Sequence, residues 1–434
     1  MTHEDHLNAA AASLGPVVID ATDLFSGWRA SLQLNDEKKP RANLANVATA
    51  FRQAPEWKGV PACDEFARQV VALKPPPWVE NRSDWKPRPW TDSDDIRATE
   101  WMQRAGIHVK DRDVSLAVQM VAGENSYHRV RDWLDALHWD GESRLETVLP
   151  QILGADPSAY VRAALRSFLL GSVARIFEPG CKMDVMLVLE GPQGTRKSTF
   201  VRELYGEEFT AEDLPDITSK DAMLTAGSAW CIEVAELAAM VGKRKEVEAI
   251  KAFVSRRVDT FRPPYGRRNV QAPRHCVLIG TTNAMEWLRD ETGARRFWPI
   301  RCGDIDIDLL KLHRDQLWAE ALALFRLGPD DGGAWWLTDD ALIEEAREQQ
   351  EQRYVSDPWE PLVREYIAGK EWTTGEQVLL ECLSVGKADL KTGDLMRVAG
   401  MLRRAGWSKR KGQTPAGKRG WIWYSPDCSA EEAG

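Results

Sequence analysis

The run Gly191-Pro192-Gln193-Gly194-Thr195-Arg196-Lys197-Ser198-Thr199 spaces two glycines, a lysine and two hydroxyls as a phosphate-binding loop requires. The glycines permit the turn, successive backbone N–H groups wrap the phosphates, and Lys197 reaches the β- and γ-phosphates. Ser198 offers its hydroxyl to Mg2+. The expected ligands are therefore ATP and Mg2+. Gly191, Gln193, Gly194, Thr195, Arg196, Lys197, Ser198 and Thr199 are the expected cofactor-binding set. One position departs from the usual Gly-Lys-Ser/Thr ending: Arg196 stands where glycine permits close phosphate approach. An ordinary glycine-containing strand-to-helix turn would read the same way.

Hydrolysis needs a carboxylate that positions Mg2+ and polarises water. Ala229-Trp230-Cys231-Ile232 leads as a short apolar strand into Glu233, about 35 residues after Lys197, and Glu236 lies close enough to share the site. Two solvated glutamates at a strand end would give the same pattern. A further apolar run, Cys276-Val277-Leu278-Ile279, ends in Gly280-Thr281-Thr282-Asn283, where an Asn283 amide would sense the γ-phosphate and the attacking water. Beyond it, Gly293-Ala294-Arg295-Arg296 suits a finger that neutralises transition-state charge, often from a neighbouring subunit. A surface arginine pair is the alternative. Lys197, Glu233, Glu236, Asn283, Arg295 and Arg296 form the expected catalytic set, with Ser198 and Glu233 at the metal. A finger acting in trans would demand an oligomer, most simply a ring.

These motifs, in this order, resemble the virulence-associated protein E family. The resemblance is carried by Glu190 to Phe200, Glu233 to Leu237, Lys251 to Gly266 with Asp259, Arg262 and Pro264-Tyr265-Gly266, Thr281-Thr282-Asn283, and Gly293 to Pro299. Tyr127 to Leu149, with Trp139-Asp140-Gly141 and Arg144-Leu145, and Pro179-Gly180 extend it, so that it covers roughly residues 90 to 330. It implies a phage- or plasmid-type replicative helicase domain, similar to superfamily 3 helicases within the AAA+ ATPases. It further implies a homo-oligomeric ring, a hexamer among the sizes, acting on single-stranded or forked DNA beside a primase or other replication proteins. Many relatives join the module to a primase domain. The first 90 residues read as short for one, and primase activity is not carried over.

Strands and helices alternate from 184 to about 327, which predicts an α/β domain built on a parallel sheet. The expected organisation is an N-terminal region over 1–90 that ends in a Trp/Pro-rich stretch, a helical collar over 91–180, a P-loop AAA+-like ATPase domain over 181–328, a linker helix over 329–356 and a small winged-helix-like domain over 357–427. Pro75-Pro76-Pro77-Trp78 and Trp85-Lys86-Pro87-Arg88-Pro89-Trp90 are extended and turn-prone, which places the first boundary there. Val130, Trp133, Leu134 and Leu137 recur at helical spacing in the collar.

Two basic clusters are candidate nucleic-acid contacts. In the helicases that the chain resembles, an insertion between the acidic and Asn strands forms a hairpin that projects into the ring channel. Arg262, Tyr265, Arg267 and Arg268 suit its tip, with arginines for phosphates and tyrosine for stacking. The second cluster is C-terminal. A helix, helix, hairpin pattern there carries Lys409, Arg410, Lys411, Lys418 and Arg419, with no acidic residue from Arg403 to Arg419. A solvated basic loop and a wing that serves only for packing are the alternatives.

With 43% hydrophobic and 28% charged residues, the 434-residue chain is of soluble globular composition. Its net charge of -9 argues against coating nucleic acid with the whole surface, so contact must come from patches. Seven cysteines without a C-x-x-C pair read as reduced thiols, and no structural zinc is expected. No secretory signal and no membrane span are read, and the expected location is cytoplasmic, without a membrane partner. Two other function classes remain compatible: a non-catalytic DNA-binding initiation factor on a P-loop scaffold, and a small-molecule kinase.

Overall fold

The computed structural model describes residues 27–426 except 213–216, 218, 238–243, 263–267, 289–293, 356, 414–416 and 418. Helix α1 (Leu44–Gln53) precedes a hairpin of β1 (Pro61–Asp64) and β2 (Gln69–Ala72), and β3 (Arg88–Pro89) pairs antiparallel with β2. Helices α2 (Asp92–Arg104) and α3 (Asp111–Glu124) follow, and β4 (Ser126–Tyr127) lies parallel to β1. Asn43 caps α1, and Thr91 with Asp94 forms a capping box at the start of α2.

Tryptophan dominates the core of this N-terminal unit. Buried Trp57 meets Phe51, Trp78, Trp90 and Trp101 at ring separations of 4.7, 5.6, 6.3 and 5.6 Å. The boundary read near residue 90 therefore falls inside a packed unit. Trp78 and Trp90 fold back onto Trp57, and residues on both sides of the Trp/Pro stretch share one core.

Helices α4 (Arg129–Ala136), α5 (Val148–Ile152) and α6 (Ala159–Phe177) do not stand apart as a collar. Leu165, Phe168, Leu169 and Val173 of α6 join Leu187 and Leu189 of the next strand in a single cluster. The cause is general: a parallel sheet needs both faces covered, and α6, apolar nearly all round, supplies one layer. The motif Trp139-Asp140-Gly141 with Arg144-Leu145 shapes the loop between α4 and α5. Arg144 ion-pairs with Asp140 at 2.7 Å, while the buried Glu320 carboxylate accepts from the Arg144 and Leu145 N–H groups at 2.6 and 2.9 Å.

The central domain contains β5 (Met186–Glu190), α7 (Lys197–Tyr205), β6 (Thr210–Ala211), α8 (Lys220–Ala226), β7 (Cys231–Val234) and α9 (Arg244–Val254). The hairpin of β8 (Val258–Phe261) and β9 (Val270–Pro273) follows, then β10 (Val277–Thr282), β11 (Phe297–Arg301), α10 (Ile307–Leu327) and α11 (Asp340–Glu351). Five strands form a wholly parallel sheet in the order β11-β5-β10-β7-β6. Parallel strands bring all their carboxyl ends to one edge, and β10 separates β5 from β7 there. Layers built on α6, α7 and α10 cover one face, and α8 and α9 cover the other.

At the C-terminus, α12 (Glu360–Ile367), β12 (Trp372–Thr373), a helical segment over 375–382 and α13 (Thr392–Arg404) precede β13 (Ser408–Gln413) and β14 (Arg419–Tyr424). The strands form an antiparallel sheet in the order β12-β14-β13, packed through Trp407 and Trp423 onto Val363, Val378 and Leu402. Among the described residues, no helix is long and apolar enough to cross a membrane.

Candidate functional site

The carboxyl end of β5 passes directly into the glycine loop. Gly191 has no room for a side chain, because a Cβ would stand 2.9 Å from the Cys302 carbonyl oxygen. Gly194 turns the loop with φ 89°. Arg196 then precedes the first turn of α7 with φ 64° and ψ 26°, a left-handed conformation that explains why glycine is the usual residue there. Its side chain is exposed, as are Gln193 and Gly194. The N-terminus of α7 lies at the loop and contributes N–H groups and partial positive charge.

Lys197 donates to the carbonyls of Gly191 and Pro192, both at 2.8 Å, and to the Thr195 hydroxyl at 3.1 Å. Its ammonium is thus tied to the glycine loop itself. Burial lowers its pKa, opposed by the nearby Cys302 thiol and the Glu233 carboxylate.

Glu233, only 2% exposed, accepts at one oxygen from Ser198 Oγ at 2.7 Å and from Thr281 Oγ1 at 2.8 Å. Three segments meet here: the start of α7, the end of β7 and the end of β10. The geometry brings Ser198 and Glu233 together as a hydroxyl and carboxylate pair able to share a hydrated Mg2+. Thr281 was not among the expected site residues. It sits in the Thr-Thr-Asn ending singled out for Asn283, and the alternation of side chains along β10 was the available signal. Asn283 is exposed one residue past β10, beside the loop, since Thr282 pairs with Glu190 and the Gly191 N–H donates to the Thr282 carbonyl at 3.2 Å.

Other expected residues fall elsewhere. Glu236 is exposed in a left-handed turn with φ 50°, two residues beyond β7, and no hydrogen bond joins it to Ser198 or Glu233. Arg295 and Arg296 precede β11, whose far end, Arg301, pairs with Glu190. They are therefore separated from the glycine loop of their own subunit by about 16 Å of strand. Arg296 donates to Ser255 Oγ at 2.7 Å within the subunit, whereas Arg295 is exposed.

A buried anchor missed by sequence reasoning lies beneath the loop. Glu190, fully buried, receives Arg353 Nη2 at 2.9 Å and Trp287 Nε1 at 2.6 Å.

Among the nucleic-acid candidates, Arg262 and Arg268 are exposed at the end of the β8–β9 hairpin, while Tyr265 and Arg267 lie outside the described residues. The base of the hairpin is rigidly built. Buried Asp259 accepts from Arg274 Nε at 2.6 Å and Nη2 at 3.0 Å, Arg274 lies 3.9 Å over the Phe253 ring, and Arg257 donates to the Gly180 carbonyl at 2.6 Å. These bonds account for Asp259 and Pro179-Gly180 as structural residues. Lys409, Arg410, Lys411 and Arg419 are exposed on β13 and β14, and Lys418 lies outside the described residues.

A family model described as the virulence-associated protein E-like domain matches residues 134–355. That span contains the loop, Glu233, Asn283, the Arg295-Arg296 pair and Arg353. No curated protein matches the chain. Among solved structures, the chain is similar to the apo structure of the NrS-1 C terminal region (305–718), at 12% identity and a TM-score of 0.43, over 84% of this chain and 95% of that one. An A form apo structure of the same NrS-1 region aligns at 13% identity and a TM-score of 0.39, over 67% of this chain and 78% of that one.

Proposed function

From the premise that the chain belongs to the virulence-associated protein E-like family, we propose that it is an ATP-dependent DNA helicase or translocase acting in replication of a phage, plasmid or other mobile element. The observation that carries this reading is the contact of Ser198 with Glu233 at 2.7 Å, at the common carboxyl edge of a parallel sheet. In this reading the central domain is a P-loop ATPase of AAA+ type. The order β11-β5-β10-β7-β6 supports it by setting the Asn283 strand between the loop strand and the Glu233 strand.

The residues divide the work by position. The loop N–H groups and Lys197 bind the phosphates, Lys197 exchanging its carbonyl partners for phosphate oxygens. Ser198 and Glu233 hold Mg2+, which neutralises developing charge when bound. Glu233 orients the attacking water and Asn283 faces the γ-phosphate. Arg295, rather than Arg296, completes the site of a neighbouring subunit, and the protein works as a ring. The C-terminal unit is a winged helix, a reading supported by the sequence α12, β12, helical segment, α13, β13, β14 and by the basic hairpin.

The test is ATP hydrolysis by the purified chain with and without single-stranded DNA. Turnover stimulated by DNA and abolished in Lys197→Ala is the expected result, with Glu233→Gln binding ATP but turning over at least a hundredfold more slowly. Absence of turnover under every DNA condition, with DNA binding that survives Lys197→Ala, would establish the non-catalytic initiation factor instead. The left-handed Arg196 is the observation on that side.

A further inference from the structure

We propose that the β13–β14 hairpin is a stacking site for single-stranded nucleic acid, with Trp421 as the platform on which an unpaired base lies. The proposal rests on the reading that this chain works on DNA, and it names the strand state and the residue that reads it.

The register defines the surface. Lys409 pairs with Trp423, Lys411 with Trp421 and Gln413 with Arg419, so these six side chains share one face of the hairpin. Trp423, at the inner end of that face, is 3% exposed and belongs to the core. Two residues outward, Trp421 is 53% exposed, the most exposed of the described tryptophans. The core ends before it, and the indole has solvent where a packing partner would be.

Its neighbours are cations. Lys409 Nζ lies 4.8 Å and Lys411 Nζ 5.4 Å from the Trp421 ring centre, and Arg419 shares the face. No acidic residue occurs from Arg403 to Arg419, in a chain whose net charge is -9. An aromatic face flanked by exposed ammonium groups matches a polyanion that also presents flat rings. The lysines pass to the phosphates as a base takes the ring. Duplex DNA hides its base faces by stacking, so only an unpaired strand can use Trp421. An acidic peptide would satisfy the lysines and leave the indole idle.

The experiment measures binding of a labelled oligothymidine of about 20 nucleotides and of a duplex of equal length by fluorescence anisotropy, across a salt series. Trp421→Ala should weaken oligothymidine binding about tenfold without changing the salt slope, while duplex binding and the melting temperature stay as they were. Trp421→Phe should recover most of the loss. Lys411→Ala should instead weaken both ligands and flatten the salt dependence. If Trp421→Ala leaves oligothymidine binding intact, or if polyglutamate competes as well as oligothymidine, the stacking proposal is overturned and the face is a plain anion surface. If neither oligonucleotide binds and DNA never stimulates ATP turnover, the nucleic-acid reading itself has failed.

Discussion

Arg353 forks onto Glu190 across 163 residues of sequence, with Nε 3.0 Å from one carboxylate oxygen and Nη2 2.9 Å from the same oxygen, while Nε also lies 3.1 Å from the other. Glu190 is the residue before Gly191, so the pair fixes the strand end from which the glycine loop departs. The Arg353 carbonyl also accepts from the N–H groups of Trp287 and Leu288, at 3.0 and 2.9 Å, on the segment that follows Asn283. A single residue, two positions past the end of α11, thus holds both the loop and the segment after the Asn283 strand. The next residue, Tyr354, receives Arg404 of α13 at 2.8 Å, and Arg404 pairs with Glu360 at 2.8 Å. A continuous polar path therefore joins the candidate nucleotide site to the C-terminal unit.

Removing one member of that buried pair leaves the other charge stranded. Arg353→Met should destabilise the protein by about 3–5 kcal/mol in chemical denaturation. Combining it with Glu190→Gln should recover much of that loss, because no unpaired charge then remains. A loss below about 1 kcal/mol for Arg353→Met would mean that the pair does not hold the loop.

The left-handed Arg196 makes the opposite prediction. A non-glycine residue in that region carries about 1–2 kcal/mol of backbone strain, and among the described residues its exposed side chain has no hydrogen-bond partner to offset it. Arg196→Gly should therefore raise stability by about 0.5–1 kcal/mol, after the added flexibility of the unfolded chain is subtracted. Nucleotide affinity should change only modestly, whereas Lys197→Ala should abolish turnover. Equal damage from both substitutions in a titration with ATP would make Arg196 a phosphate ligand.

Legibility in the sequence followed locality. The glycine loop, the apolar run into Glu233 and the Thr-Thr-Asn strand end are each written in a few consecutive residues, and the parallel sheet places them together. Glu236 was drawn toward the site by its nearness to Glu233, but the chain leaves β7 in a left-handed turn and carries it into solvent. Arg296 was indistinguishable from Arg295 until Ser255, 41 residues away, claimed it. Arg353 and Trp287 gave no signal because their partner is fixed by tertiary packing alone. The same cause hid the Trp57 cluster, where a Trp/Pro-rich run looks like a linker unless the aromatic core that receives it is known.

Acid should destabilise the protein through His275. The imidazole is 3% exposed, stacked 4.6 Å from Phe66, and burial with the nearby Arg68, His128 and Arg175 lowers its pKa from 6.5 to about 3. The neutral form is the one that fits, so the contribution is complete above pH 6.5 and is lost as pH falls toward 3, where the unfolded chain binds the extra proton. Over that window stability should decline by about 1.4 kcal/mol per pH unit from this group alone. His275→Phe should flatten the acid limb of a melting-temperature profile between pH 6 and 4, a change that a profile identical to the parent's would contradict.

The position of Arg295 makes a subunit-mixing test decisive for the ring. Arg295 lies at the opposite end of β11 from its own loop, so in the proposed ring it would serve a neighbour's nucleotide. Lys197→Ala subunits lack phosphate binding but keep the finger, and Arg295→Ala subunits lack the finger but keep the loop. Each preparation alone should be inactive. Mixed, they should recover ATP turnover wherever an intact loop faces an intact finger. For random assembly in equal amounts, that combination occurs at about one interface in four, since two independent halves must coincide. Arg296→Ala should behave differently, lowering thermal stability through the lost Ser255 bond without complementing Lys197→Ala subunits any less well than the parent does. Mixtures as inactive as their components would show that the finger does not act between subunits.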